Sequence, residues 1–272
     1  MNDPAAIQHS LLMCVYDGNI DAVRILIEKG ANINHVWGGG GEFDPGDNAL
    51  LIAIQNYKFG GGLHDSASTN IDMVKLLLDH GANPNSPPPG IPIHEALNFG
   101  SVNTGGEIVK ALVLAGADVN VKLKRMGTPL HGVYCCGDQK MAVSVAQLLI
   151  SKGALVDAKN DRGNSPLDDF LSDNWVVTGG LTRPPQHAAK LRALAKVLLR
   201  GGASTTGCRF ASSEFPAKTF VAQVLKRGGW KKYEVWHKRV LAGLVSKCSK
   251  RVDLPDDAAG LVVDFYCPSG GS

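Results

Sequence analysis

Long apolar runs are missing from this chain. No stretch of its 272 residues approaches the roughly 18 apolar residues of a membrane-spanning helix, so no membrane span is expected. Residues 1–10 carry no basic segment followed by an apolar one, the pattern of a secretory signal. The expectation is a soluble, non-secreted protein of the cytoplasm, with the nucleus left open. Cysteine is scarce: Cys14, Cys135, Cys136, Cys208, Cys248 and Cys267 form no Cys-x-x-Cys pair and are too few to staple a chain of this size. They read as reduced, mostly buried thiols. Charge is modest, at 19% against 44% hydrophobic residues, which rules out a disordered chain. Glycine, by contrast, is abundant, and 32 glycines with 14 prolines make about one residue in six a backbone punctuator. They show no three-residue period, which excludes collagen, and their spread implies many short elements separated by turns.

The net charge of +3 conceals an uneven distribution. Residues 1–217 are close to neutral, residues 218–251 hold ten basic residues against Glu234 alone, and residues 252–272 hold four aspartates and no base. A local block bears on partners, whereas the total says little. Lys226, Arg227, Lys231, Lys232, His237, Lys238, Arg239, Lys247, Lys250 and Arg251 would attract phosphate-rich ligands. They alternate with an apolar stripe, however, as the solvated face of a terminal helix pair does, so nucleic acid is not the expected partner.

Self-similarity sets the architecture. Five segments (23–34, 74–85, 109–120, 145–157 and 195–205) run an apolar helical stripe into Gly-Ala and a small polar turn, closing on Gly30, Gly81, Gly116, Gly153 and Gly202. Each glycine stands where a helix must stop with positive φ. Upstream lie Asn48-Ala49-Leu50-Leu51, Pro92-Ile93-His94-Glu95-Ala96, Thr128-Pro129-Leu130-His131 and Ser165-Pro166-Leu167-Asp168. Proline in a first helical turn needs no amide partner, and the Ser or Thr before it can cap the helix. Two motifs recurring in this order resemble the ankyrin repeat, with its Thr-Pro-Leu-His-x-Ala pattern and period of about 33 residues. The resemblance implies an all-α helical solenoid over 9–206, with repeats at about 9–34, 47–85, 90–120, 127–157 and 163–206. It also implies a concave surface and finger turns that bind protein without catalysis, with His94 and His131 in packing positions.

The departures from the period are localised. Leu11, Leu50, Ile93, Leu130 and Leu167 are spaced by 39, 43, 37 and 37 residues, and the excess falls between the two helices of repeats two to five. The inserted segments 56–70, 98–106, 136–140 and 172–187 should emerge along one edge of the stack. They read either as a functional edge or as inexpensive surface insertions. Residues 207–251 form a divergent basic helical cap, with Val221, Val224, Leu225, Val235, Trp236, Val240, Leu241, Leu244 and Val245 at helical spacing and Trp230 a packing residue. In the tail, 252–272, Pro255 opens a short helix with Leu254, Leu261, Val262 and Phe265 on one side. That side either packs on the cap or serves as an adaptor. It resembles the opening of an F-box or, through Leu244, Cys248 and Val252, a SOCS box, which would recruit ubiquitin-ligase components.

Chemistry is not prominent. His131 and Cys135 share a helical face, but a closed metal site needs four ligands and no second pair is in place. Cys135, Cys136 and His131 lack a recognisable orienting acid or oxyanion hole. Gly38–Gly41 lacks the Lys-Ser or Lys-Thr of a phosphate loop. No catalytic residue, cofactor or metal is therefore expected. The expected function is a non-enzymatic interaction module or scaffold. His35, Trp37 and Phe43 would stand on the finger tips at one end, with Lys122, Lys124, Arg125, Lys159 and Arg162 towards the middle, a pattern suited to a partner segment with an apolar residue and acidic neighbours. The alternative is a ubiquitin-ligase substrate adaptor working through the tail.

Overall fold

In the computed structural model, residues 4–39, 42–55, 67–86, 91–99, 104–136, 138–171 and 185–204 are described, together with 224, 226–236 and 238–239. The chain divides into two compact units, Met1–Ala203 and Ser204–Ser272. The first unit is a series of helix pairs: α1 (Pro4–Tyr16) with α2 (Ile20–Glu28), α3 (Ala49–Gln55) with α4 (Ala67–Asp79), α5 (Ile91–Phe99) with α6 (Thr104–Leu114), α7 (Pro129–Gly132) with α8 (Gln139–Ser151), and α9 (Pro166–Leu171) with α10 (Pro185–Arg200). The first helices pack in one row, α1 on α3, α3 on α5, α5 on α7 and α7 on α9. The second helices form the other row, α4 on α6, α6 on α8 and α8 on α10.

The five second helices end alike. The alanine after each closing glycine donates its N–H to the carbonyl five residues back (Ala31 to Leu26, Ala82 to Leu77, Ala117 to Leu112, Ala154 to Leu149, Ala203 to Leu198) at 2.9–3.0 Å. The glycine between them takes φ of +88° to +95°, a left-handed conformation that L side chains reach only at a cost. At helix starts in both rows, Asn19, Asn48 and Asp138 accept the N–H three residues on, and Pro129 and Pro166 open α7 and α9.

Because each pair repeats the same turn chemistry, the same register positions turn inward every time. Leu11, Leu50, Ile93, Leu130 and Leu167 are at most 1% exposed, and Val23, Val74, Val109, Val145 and Ala195 are fully buried. Each such leucine, isoleucine or valine contributes about 1.5–3 kcal/mol on leaving water, and Ala195 less.

The insertions are shorter than their sequence suggests. Helices α4, α6 and α10 begin inside segments 56–70, 98–106 and 172–187, and α8 begins inside 136–140. Gly105 and Gly106, expected in a loop, are buried in α6. A Cβ on Gly106 would stand 2.2 Å from Met141 Cγ, so this glycine sets how closely α6 and α8 approach. The parts 56–66, 100–103 and 172–184, and Gly90, lie outside the described residues.

In the second unit, residues 230–236 are helical, with Val224 and Tyr233 buried. Trp230, Tyr233 and Trp236 line up at ring separations of 5.7 and 5.8 Å, and the Arg227 guanidinium lies 3.3 Å from the Trp236 ring centroid. Val235, placed in the apolar stripe on spacing alone, is 50% exposed. The tail residues Leu254, Pro255, Leu261, Val262 and Phe265 lie outside the described residues.

Candidate functional site

Where the connection between successive pairs is described at its closure, it is a hairpin-like finger. The first returns through Trp37 N–H to the Asp47 carbonyl (2.7 Å) and Gly46 N–H to the Trp37 carbonyl (2.8 Å). The finger at 121–127 closes with Leu123 and Gly127 exchanging both backbone bonds at 3.0 Å, and the next with Asn160 N–H to the Asn164 carbonyl at 2.9 Å.

Side-chain amides tie finger bases across repeats. Asn34 donates to the Gly81 carbonyl (2.9 Å) and accepts from Asn83 N–H (2.7 Å). Asn85 makes the same pair with Gly116 and Asp118, at 3.0 and 2.7 Å. Asn120 repeats it with Gly153 and Leu155, at 3.0 and 2.8 Å. Deeper in, His94 Nε2 donates to the Val121 carbonyl (3.2 Å) and His131 Nε2 to the Asn164 carbonyl (3.1 Å). Thr128 N–H reaches His131 Nδ1 at 3.1 Å, which leaves the imidazole proton on Nε2. Burial lowers the pKa of both imidazoles, so they bridge repeats as neutral groups.

These bonds also fix the surroundings of the histidine and cysteines that the sequence offers as chemical candidates. The helix carrying His131 stops at Gly132, and Val133–Cys135 is a 3₁₀ turn, so His131 and Cys135 are not successive turns of one α-helix. Burial pushes the Cys136 thiol up to about 12 and raises Cys135 as well, so neither is a ready thiolate at neutral pH. Lys190, which the sequence reading passed over, is buried and donates to the Cys136 carbonyl at 2.8 Å, tying α10 to this turn.

The predicted binding residues separate by environment. Phe43 is corrected: it is 7% exposed, not displayed at a tip. Its ring meets those of His9, Tyr16 and Trp37 at 6.0–6.3 Å, because the first finger folds back on α1. Trp37 and His35 are half-buried, with Trp37 also 5.5 Å from His9. Lys122, Lys124, Arg125, Lys159 and Arg162 are all exposed. Two of them brace the fold: Lys159 Nζ is 3.1 Å from Asp168 Oδ2, and Lys122 Nζ is 3.2 Å from Asp161 Oδ1. Arg125 N–H donates to the other oxygen of Asp161 at 3.0 Å. That backbone bond and the Lys122 amine hold the Asp161 carboxyl below the usual carboxylate range. Asp161 was missed by residue-type reasoning, although an acid at the register position of Lys124 in the next finger was the available signal.

Sequence models agree with this geometry. The model described as Ankyrin repeats (many copies) matches residues 11–57, and the Ankyrin repeat model matches 46–87 and 127–161. The Caenorhabditis elegans Ankyrin repeat and KH domain-containing protein mask-1 is 31% identical over 135 residues, 44% of this chain and 5% of that protein. Protein phosphatase 1 regulatory subunit 27 of Homo sapiens and of Mus musculus is in each case 41% identical over 76 residues, 28% of this chain and 44% of that protein. The chain thus spans less than half the length of each of these relatives. No helix among the described residues is long and apolar enough to cross a membrane.

Proposed function

The chain belongs to the ankyrin-repeat family, and from that premise we propose that it is a non-enzymatic module whose protein partner docks along the fingers of the array. The observation that carries this reading is the repeated tie at Asn34, Asn85 and Asn120. Finger bases held in one register make the tips a preorganised surface, which lowers the ordering cost of binding. Trp37 and His35 supply the aromatic end of that face; Lys124, Arg125 and Arg162 supply the cationic middle; Lys122 and Lys159 act as braces.

The relationship to a protein phosphatase 1 regulatory subunit makes a phosphatase catalytic subunit the first partner to try. The adaptor alternative draws no support from the relatives, and its tail residues lie outside the described structure. Affinity capture with the full chain tests the reading, using a cell lysate and purified protein phosphatase 1 in parallel. Partner recovery should fall with Trp37→Ala and with Lys124→Glu combined with Arg125→Glu. Unchanged recovery in both variants would place the partner on another surface.

A further inference from the structure

The geometry points to a specific reader within that face. Lys124, Arg125 and Arg162 form one cationic site across two fingers, held in place by Asp161, for an extended carboxylate-rich segment of a partner protein. This deepens, and rests on, the finger-docking proposal.

The five exposed cations are not equivalent. Lys122 is matched by Asp161 and Lys159 by Asp168, whereas Lys124, Arg125 and Arg162 enter no ion pair within 4 Å among the described residues, and Lys124 acts on Asp161 only at longer range. Arg125 and Arg162 lie 37 residues apart, the same interval as Leu130 and Leu167, so they occupy one register position on adjacent fingers. The register partner of Lys124 is Asp161, and Asp161 faces back to the preceding finger. One carboxylate oxygen takes the Arg125 backbone N–H at 3.0 Å and the other meets Lys122 Nζ at 3.2 Å. Through that carboxylate the tips at 122–125 and 161–162 are linked, and the remaining cations share one frame.

Backbone strain coincides with the site. Arg125 has φ +69°, the one positive φ outside glycine among the described residues. Glycine would hold that conformation at less cost, yet the position carries a guanidinium. Three separate cations spread over two fingers match a row of singly charged carboxylates better than one concentrated dianion. An exposed reader of this kind favours rapid, salt-sensitive association.

The test uses the full chain with a fluorescein-labelled oligoglutamate peptide, read by fluorescence anisotropy. Oligoglutamine serves as the uncharged comparison, and a neutral peptide with a single phosphoserine as the dianion. Oligoglutamate should bind and weaken with salt, and the other two should bind less. Lys124→Glu, Arg125→Glu and Arg162→Glu combined should weaken binding by about tenfold or more. Lys226→Glu, Lys231→Glu and Lys232→Glu, which reverse exposed charges of the second unit, should leave it nearly unchanged.

Asp161→Ala supplies the sharpest sign. It makes the chain more positive, so unspecific attraction predicts tighter binding; loss of the link between fingers predicts weaker binding, which is the result expected. Tighter binding by that variant, binding that follows the second-unit charges, or preference for the phosphoserine peptide would overturn the reader. If the triple variant still captures a partner whose recovery falls with Trp37→Ala, the reader fails and finger docking stands. A captured partner indifferent to both removes finger docking itself.

Discussion

The earlier repeats and the last one are joined by different chemistry. At three junctions an amide makes the tie, with Asn34, Asn85 and Asn120 each donating to a glycine carbonyl and accepting a backbone N–H in the next repeat. At the fourth, that position is Asp157, whose carboxylate accepts but has no N–H to offer the Gly202 carbonyl. Around this junction the polar bonds are concentrated deeper, between the finger and α9. Asp169 accepts from Asn160 (2.7 Å) and Asn164 (2.8 Å), while Asp168 accepts from Ser165 N–H (2.9 Å) and Lys159 (3.1 Å). Both carboxylates are at least nine-tenths buried. Amide ties hold their strength across pH and lose little when exposed, whereas buried carboxylates are firm only while every donor remains. The array therefore has a uniform body and a last repeat that depends on charge.

The most severe way to break this contrast is Asp169→Ala. It strands the Asn160 and Asn164 amides in a buried site and should cost about 3 kcal/mol. The loss would be read as a lower denaturant midpoint, with amide exchange accelerating first in residues 163–204. Uniform acceleration along the array would show that the last repeat is not a separate weak point.

Acidification is the next lever. His94 and His131 have folded pKa values below the ordinary 6.5, chiefly through burial, so below about 6.5 the unfolded chain binds more protons and stability falls. Burial alone would raise Asp168, but the hydrogen bonds from Ser165 and Lys159 outweigh it and hold its pKa below 3.8. Its contribution is present above that value and is lost as pH falls through the folded pKa. Thermal melting should thus decline below about pH 6.5 and again under more acid conditions, and a flat profile down to about pH 5 would contradict the neutral-imidazole bridges.

Exchanging the two chemistries sharpens the comparison at smaller cost. Asn120→Ala removes an exposed tie and should destabilise by about 1 kcal/mol, whereas Asp157→Asn supplies the missing donor and should stabilise by about 0.5 kcal/mol. Equal effects of either sign would mean that the amide position carries no special weight. An equally small effect belongs to Arg125→Gly, which relieves a positive φ and should raise stability by about 0.5 kcal/mol while weakening oligoglutamate binding. A stability loss would remove the case for strain at that tip.

Much of this molecule is visible in the chain itself, and for local reasons. Gly30, Gly81, Gly116, Gly153 and Gly202 announce helix ends because a left-handed residue followed by alanine closes the turn wherever it occurs. The same logic located the inward positions from Leu11 to Leu167. Where the reading failed, a neighbour distant in sequence was responsible. Gly106 resembles a loop glycine until Met141 is packed over it, and Phe43 resembles a displayed aromatic until the first finger folds on His9 and Tyr16.

The candidate face shows the same division. Lys122, Lys124, Arg125, Lys159 and Arg162 all carry a positive charge, and composition alone marks all five as surface cations. Their separation into two braces and three available charges depends on Asp161 and Asp168, which reach them across a finger or a helix start. The sequence by itself determined the repeat, its register and the helix ends, because these follow from backbone preferences acting over a few residues. Only the tertiary structure decided which glycine is a contact, which aromatic is core and which cation is held in an ion pair, because burial and charge pairing are properties of what stacking brings together.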